Sequence, residues 1–325
     1  MSKRESKRVC SVDVREDVPL QGLTQSGKRN VVERETENII VVATHKVRGA
    51  HFESCTDSVS VEEPLEINVR FELDGCRVVR TVAVTMRTPG HDAELAAGFL
   101  FAEGVISNFD QIESISKSKC NGVVVSLKPG VSVDVELFER HSYVSSSCGV
   151  CGKKSIASVM QRCEIQIAHE ELSVQSSIFA TMSRSLRLMQ SDFDTTGGIH
   201  AAALFDSSGR LTELREDVGR HNALDKLIGA MILSEKVPLN RSVLFLSGRA
   251  SFELIQKAAA AGIQIVASVG APSSLAVQLA SECGMTLIGF VREDRFNIYC
   301  GSERVVCAVE KMKNLTRKTA AGSAG

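Results

Sequence analysis

Residues 242–291 read SVLFLSGRASFELIQKAAAAGIQIVASVGAPSSLAVQLASECGMTLIGFV. Three short apolar runs, SVLFL, IQIVASV and MTLIGFV, alternate with SFELIQKAAAAG and SSLAVQLASECG, whose apolar residues recur at helical spacing. A strand-helix-strand-helix-strand order joins parallel strands by crossovers, so this run predicts a mostly parallel sheet covered by helices. Ligands of such sheets sit beyond the carboxyl ends of the strands, beside helix N-termini that offer free backbone N–H groups. The segments that fall there are SGRAS, VGAPSS and REDRFN.

Each of these loops has residues suited to an anionic ligand. Gly248 allows close backbone approach, Arg249 carries a permanent charge for a pyrophosphate, and Ser251 offers a hydroxyl. The next loop repeats the plan with Ala271, then Pro272 suited to a first helical turn, then Ser273 beside free N–H groups. An ordinary βα turn is the alternative for either loop alone. Two side by side suit a dinucleotide better.

Upstream, Leu65, Ile67, Val69, Phe71 and Leu73 alternate along one strand, and Asp74-Gly75 signals a two-residue hairpin into a second. HDAELAAGFLFAEG follows as an amphipathic helix with Gly104 at its C-terminal cap. GVVVSL and VSVDVELF, separated by Lys128-Pro129-Gly130, read as a further strand pair. In IFATMSRSLRLMQ, Met182, Leu186 and Met189 have helical spacing and read as core.

Composition narrows the function. At 325 residues the chain exceeds one compact core, which favours two domains. Apolar residues make up 43% and charged residues 24%, the balance of a soluble globular protein. A net charge of -1 supplies no basic field for nucleic acid or an anionic membrane, and no run approaches the ~20 apolar residues of a membrane helix. The N-terminal stretch lacks the apolar core of a signal peptide, so the expectation is a cytoplasmic protein with reduced thiols.

Among its 10 cysteines, two stand apart in SSSCGVCGKKS, residues 145–155. Structural zinc normally takes four ligands, and only Cys120 or His141 could be recruited to complete a set. A dithiol exchanger would sit in a βαβ context that is missing here. Inert thiols prefer apolar surroundings, whereas Ser, Gly and Lys flank these. The fourth reading is nucleophilic: a loop thiol near a helix start, beside Lys153 and Lys154, is placed to form a thiolate that accepts sulfur. Cys148 is the preferred carrier. Cys151 could attack a persulfide on it, releasing sulfide and leaving a disulfide.

EDVGRHNALDK, residues 216–226, packs Asp217, Arg220 and His221 at a helix start. A solvated, capped helix end is one reading. The other is a polar wall in which Asp217 accepts base N–H groups and Arg220 forks onto a phosphate, with His221 a weaker candidate for proton transfer.

SSCGVCGK together with GGIHAAALFD and EDVGRHNALDKLIG resembles the FdhD family, sulfur carrier proteins required for formate dehydrogenase activity. The similarity extends through TPGHDAELAAGFLFAEGVI, LFLSGRASFELIQKAAAAGI, GAPSSLAVQLA and GFVREDRFNIYCG, from about Glu63 to Cys307. It implies transfer of sulfur from a cysteine desulfurase to a molybdenum (or tungsten) bis(pterin guanine dinucleotide) cofactor, bound as substrate, before insertion into the formate dehydrogenase catalytic subunit. GDP would mimic that substrate. The resemblance makes Cys148 the persulfide carrier and aligns Phe296, Asn297, Ile298, Tyr299, Cys300 and Gly301 with the cofactor-contacting stretch, where many relatives have Thr-His in place of the last two. It also suggests a homodimer, with hairpin edges of the first domain a natural place for contact.

The family's second half is similar to the cytidine deaminase fold. His200-Ala201-Ala202 and SGRASFELI stand where the zinc deaminase signatures would be, so neither zinc nor deamination is expected. The resulting expectation is an α/β protein with a mobile tail at 1–37 and a β-rich α+β domain with hairpins at 38–144. The C-x-x-C loop and its helix occupy 145–170. A three-layer, deaminase-like, cofactor-binding domain follows at 171–312, and a second tail at 313–325. The rival readings are a cofactor-binding chaperone that moves no sulfur and a dithiol oxidoreductase.

Overall fold

The computed structural model describes residues 38–118, 121–134 and 172–307. The tails, the segment 145–170 with Cys148 and Cys151, and the alternative zinc ligands Cys120 and His141 lie outside the described residues. The chain opens with a ribbon, β1 (Ile39–Arg48) and β2 (His51–Ser60), then β3 (Glu63–Leu73), β4 (Cys76–Arg87), α1 (Asp92–Ala102), β5 (Ile112–Ser118) and β6 (Gly122–Leu127). After β7 (Val174–Gln175) come α2 (Ile178–Met189), α3 (Ser191–Thr196), β8 (His200–Phe205), β9 (Leu211–Asp217) and α4 (Arg220–Leu233). The run of residues 242–291 supplies β10 (Val243–Leu246), α5 (Phe252–Ala260), β11 (Ile265–Ser268), α6 (Ser274–Glu282) and β12 (Thr286–Gly289). Two short strands, β13 (Asn297–Cys300) and β14 (Val305–Val306), follow.

The molecule is mixed α/β, built on two main sheets. The first has the order β4-β3-β6-β5. Alternation places Leu65, Ile67, Val69 and Phe71 on one face of β3, where they meet Leu95 and Leu100 of α1 in a buried core. Asp74 and Gly75, both at positive φ, make the expected turn into β4. The other expected pairing is corrected: β6 (GVVVSL) pairs antiparallel with β5 and parallel with β3. Both of its hydrogen-bonding edges are thus used, and Val131–Asp134 is not in a strand.

The second sheet has the order β13-β12-β11-β10-β8-β9. β10, β11 and β12 run parallel, as their crossovers require. The sheet as a whole is mixed rather than mostly parallel, because β8, β9 and β13 each pair antiparallel with their neighbours. A tight turn after Phe205, with Gly209 at φ 84°, returns the chain directly from β8 to β9, and so short a link joins only antiparallel strands. Helices α4, α5 and α6 cover one face. On the other, Phe179, Met182 and Leu186 of α2 pack against Phe205 and Phe245, completing three layers. Met189, read as core, is instead 56% exposed.

Helices α1 and α4 join the two sheets. A Cβ on Gly98 would lie 1.9 Å from the Asp225 carbonyl oxygen, and one on Gly229 would lie 1.8 Å from that of Glu94. Only glycine fits at either position.

Candidate functional site

The loops beyond β10, β11 and β12 form one hydrogen-bonded rim. Gly270 N donates to Gly248 O at 2.9 Å, Ser273 N to Ala250 O at 3.0 Å, and Phe290 N to Gly270 O at 3.1 Å. The segments holding Gly248, Arg249 and Ser251 and holding Ala271 and Ser273 therefore lie side by side, as the run of residues 242–291 predicts. Arg249 is exposed. Ser273 caps α6 by accepting from Ala276 N at 3.3 Å, which accounts for part of its hydrogen-bonding capacity.

Two histidines meet this rim from the opposite side. His200 opens strand β8, and its Nδ1 would lie 3.2 Å from a Cβ at Gly248. His221 Nε2 is 3.3 Å from Ser251 Oγ and 3.5 Å from Glu253 Oε2. Burial, then the charges of Arg220 and Lys257, push the His221 pKa down to about 3, so its ring is neutral at physiological pH. Burial and Arg220 lower His200 as well. A neutral ring that low is a hydrogen-bonding group rather than a proton carrier near pH 7. Arg220 keeps its buried Nε without a hydrogen-bond partner among the described residues.

Asp217 is a correction to the proposed polar wall. It is 0% exposed. Its Oδ2 accepts from Lys226 Nζ at 2.7 Å and from Thr88 N at 3.2 Å, and its Oδ1 from Gly219 N at 2.8 Å and Asn222 Nδ2 at 3.1 Å. Four donors satisfy this carboxylate, so Asp217 ties the start of α4 to the segment after β4 and presents nothing to a ligand.

The stretch Phe296 to Gly301 divides its labour. Phe296 packs inward, 5.0 Å from Phe179 on α2, and Ile298 joins the same core. Asn297 and Tyr299 are exposed on strand β13. Cys300 Sγ donates to Met285 O at 3.4 Å, and burial raises its pKa, which disfavours the thiolate. Gly301 adopts φ 69°, and a Cβ there would sit 2.6 Å from Met285 O, so no larger side chain fits without movement.

Beside the rim opens a cleft of about 530 Å³, lined by Arg184 and Arg187 of α2, Phe193, His200, Ser247 and Glu293 among others. Arg187 lies over the Phe193 ring at 4.5 Å and pairs with Asp194 at 2.7 Å. Sequence reasoning passed over both arginines. Their i, i+3 spacing in SRSLR was a signal, but α2 was read only for its apolar face. Hydroxyl, imidazole and guanidinium groups around partly apolar walls can hold a planar, anionic ligand. A second cavity of about 170 Å³, lined by Thr88, His91, Asp192, Glu216 and Lys226, lies between the two sheets. Burial and the nearby Asp192 and Asp194 raise the Glu216 pKa to about 7.

No described helix is long and apolar enough to cross a membrane. Cys148 and Cys151 lie outside the described residues, so no distance relates them to the cleft.

Comparison with known proteins gives consistent matches. The profile of the FdhD/NarQ family matches residues 61–306. A protein named Sulfur carrier protein FdhD from Streptomyces coelicolor is 45% identical over 270 residues, covering 80% of this chain and 93% of its own. Proteins of the same name from Mycobacterium tuberculosis and Sulfurisphaera tokodaii are 44% and 43% identical, each covering 77% of this chain and 92% of their own. The crystal structure of a protein described as a formate dehydrogenase accessory protein, from Desulfotalea psychrophila, superposes with TM-score 0.65 at 25% identity. It covers 82% of this chain and 99% of that one.

Proposed function

This chain belongs to the FdhD/NarQ family, and from that premise we propose that it is a sulfur carrier that serves formate dehydrogenase through a cysteine persulfide. The observation that carries the reading is the identity of 43 to 45% with relatives named as sulfur carriers, in a chain that keeps the sequence C-G-V-C at Cys148 to Cys151. The Cys148 thiolate attacks the terminal sulfur of a cysteine desulfurase persulfide. The desulfurase thiolate leaves, and the new persulfide is held on this chain. Cys151, three residues on, is placed in sequence to discharge it as sulfide by forming a disulfide.

The acceptor in this reading is the metal centre of a molybdenum or tungsten bis(pterin guanine dinucleotide), bound as substrate. The cleft beside the rim supports a nucleotide-bearing substrate: Arg184 and Arg187 suit phosphates, and Ser247 and the neutral His200 suit polar edges of a ring. A Cβ on Gly270 would lie 2.9 Å from the Arg249 backbone, so glycine there lets the two loops pack against each other beside the cleft. The reaction takes place in the cytoplasm, where the thiols stay reduced.

The test loads the protein with labelled sulfur from a desulfurase and cysteine, then offers it the dinucleotide cofactor. Intact mass should show one added sulfur on the parent and none on Cys148→Ala, and the label should then pass to the cofactor. An adduct that persists on Cys148→Ala would reassign the carrier. Label that loads but never leaves would instead favour a protective chaperone.

A further inference from the structure

Gln190 is the single residue between α2 and α3, where its carbonyl oxygen accepts from Asp194 N at 3.0 Å and starts the second helix. Its side chain is 4% exposed and lines the cleft of about 530 Å³. The amide Nε2 is buried without a hydrogen-bond partner among the described residues. A buried donor left unmatched is costly, so one on the wall of a cleft is matched by what the cleft takes in.

Glu216 is its neighbour across that wall. Ile199 lines both the cleft and the smaller cavity, and Glu216 lines the smaller one with Oε1 buried and unmatched among the described residues. Burial and the charges of Asp192 and Asp194 on α3 favour the neutral acid, while the Gln190 amide lies close enough to favour the ionised form. The cations around this cavity are engaged elsewhere: Lys226 with Asp217, Arg215 with Glu94 and Glu213, and His91 with Glu94. Gln190 is thus the group through which a change of charge on Glu216 reaches the cleft.

Building on the reading of the cleft as a nucleotide site, we infer that Gln190 selects the ring edge of the ligand and that Glu216, as a positioning residue, sets which end of the Gln190 amide faces that edge. A neutral Glu216 donates its O–H to Gln190 Oε1, which turns Nε2 toward the cleft as a donor. An ionised Glu216 accepts from Nε2 and leaves Oε1, an acceptor, facing the cleft. The first state suits the O6 and N7 acceptors of guanine, the second the N6 amino group of adenine. With the Glu216 pKa raised to about 7, both states are populated at neutral pH. Guanine binding then draws Glu216 toward its neutral form and takes up a proton, whereas adenine binding releases one.

Titration calorimetry of the full chain with GDP and ADP at pH 6 and pH 8.5 tests it. In Glu216→Gln the new amide donates to Gln190 Oε1 at every pH, and the nucleotide phosphate titrates as it does with the parent, so the difference between the two proteins isolates Glu216. Relative to that variant, the parent should lose at least about fivefold in GDP affinity over this range and gain in ADP affinity. Gln190→Ala should lose the extra pH dependence and narrow the preference for GDP at pH 6 by about fivefold. Should Gln190→Ala misfold, the parent decides instead: GDP heats at pH 7 in two buffers of different ionisation enthalpy should show a proton uptake that Glu216→Gln lacks. A parent that binds GDP with the pH dependence and proton uptake of Glu216→Gln, or a Gln190→Ala protein that keeps the extra dependence, overturns the inference and leaves the nucleotide reading standing. No GDP binding by the parent at either pH overturns both.

Discussion

Glu216 and Asp217 are adjacent carboxylates with opposite fates. Along β9 alternate side chains face opposite sides, so Asp217 enters the joint with four donors while Glu216 lines the smaller cavity with Oε1 buried and unpartnered among the described residues. The sequence placed both on one polar wall because LTELRED, charged at four of seven positions, hides its strand period. The Glu216 pKa, raised to about 7 by burial and by Asp192 and Asp194, means that the folded state holds this proton more tightly than the unfolded one. Its contribution to stability is complete below the unfolded value near 4.5 and is lost as pH rises through 7. His221 behaves in the opposite sense: its contribution is complete above 6.5 and is lost as pH falls toward about 3. Glu216→Gln should therefore raise the melting temperature at pH 8 by about 2 °C and change it little at pH 4.5. A shift of equal size at both pH values would show that Glu216 is not the titrating group.

At the scale of elements, α1 was legible from HDAELAAGFLFAEG, and Gly104 does end it at φ 76°. What the sequence could not show is why Gly98 stands in its middle, where glycine weakens a helix by roughly 0.5–1 kcal/mol relative to alanine. The reason lies on α4, more than 120 residues on, where Gly229 faces it and the two backbones touch. Likewise GVVVSL was legible as a strand, but its partners depend on which neighbours reach its edges, and one of them, β3, is more than fifty residues away. Gly98→Ala would drive a methyl group into the Asp225 carbonyl, so the helices must separate. The expected cost is about 1–3 kcal/mol in a denaturant titration. Gly229→Ala should cost a similar amount, and the double variant less than the sum, since one separation relieves both clashes. Parent-like midpoints for both single variants would show that the two helix backbones do not touch at these glycines.

For the whole molecule, the sequence suggested two domains, and two main sheets with separate cores are present. Their coupling was hidden because it rests on contacts far apart in the chain. Lys226 Nζ reaches Thr88 O at 2.8 Å, Asn222 Nδ2 reaches Met86 O at 2.7 Å, and Arg215 grips Glu94 with two hydrogen bonds at 2.5 and 2.9 Å. Burial would raise the Glu94 pKa, but hydrogen bonds from Arg215 and His91 together with their charges hold it at about 2, so its carboxylate stays charged at neutral pH. Opening the joint exposes the glycine crossing, breaks the Arg215–Glu94 bridge and takes Thr88 N away from Asp217 and Thr88 O away from Lys226. These losses fall together, so neither sheet should unfold while the other persists. Native-state hydrogen exchange should give the same opening free energy for amides of β3 and β6 as for those of β10 and β11. Lys226→Met leaves Asp217 buried without its cation and should split the two groups, with one sheet opening at lower denaturant than the other. Distinct opening energies in the parent would show two independent units and a joint of little strength.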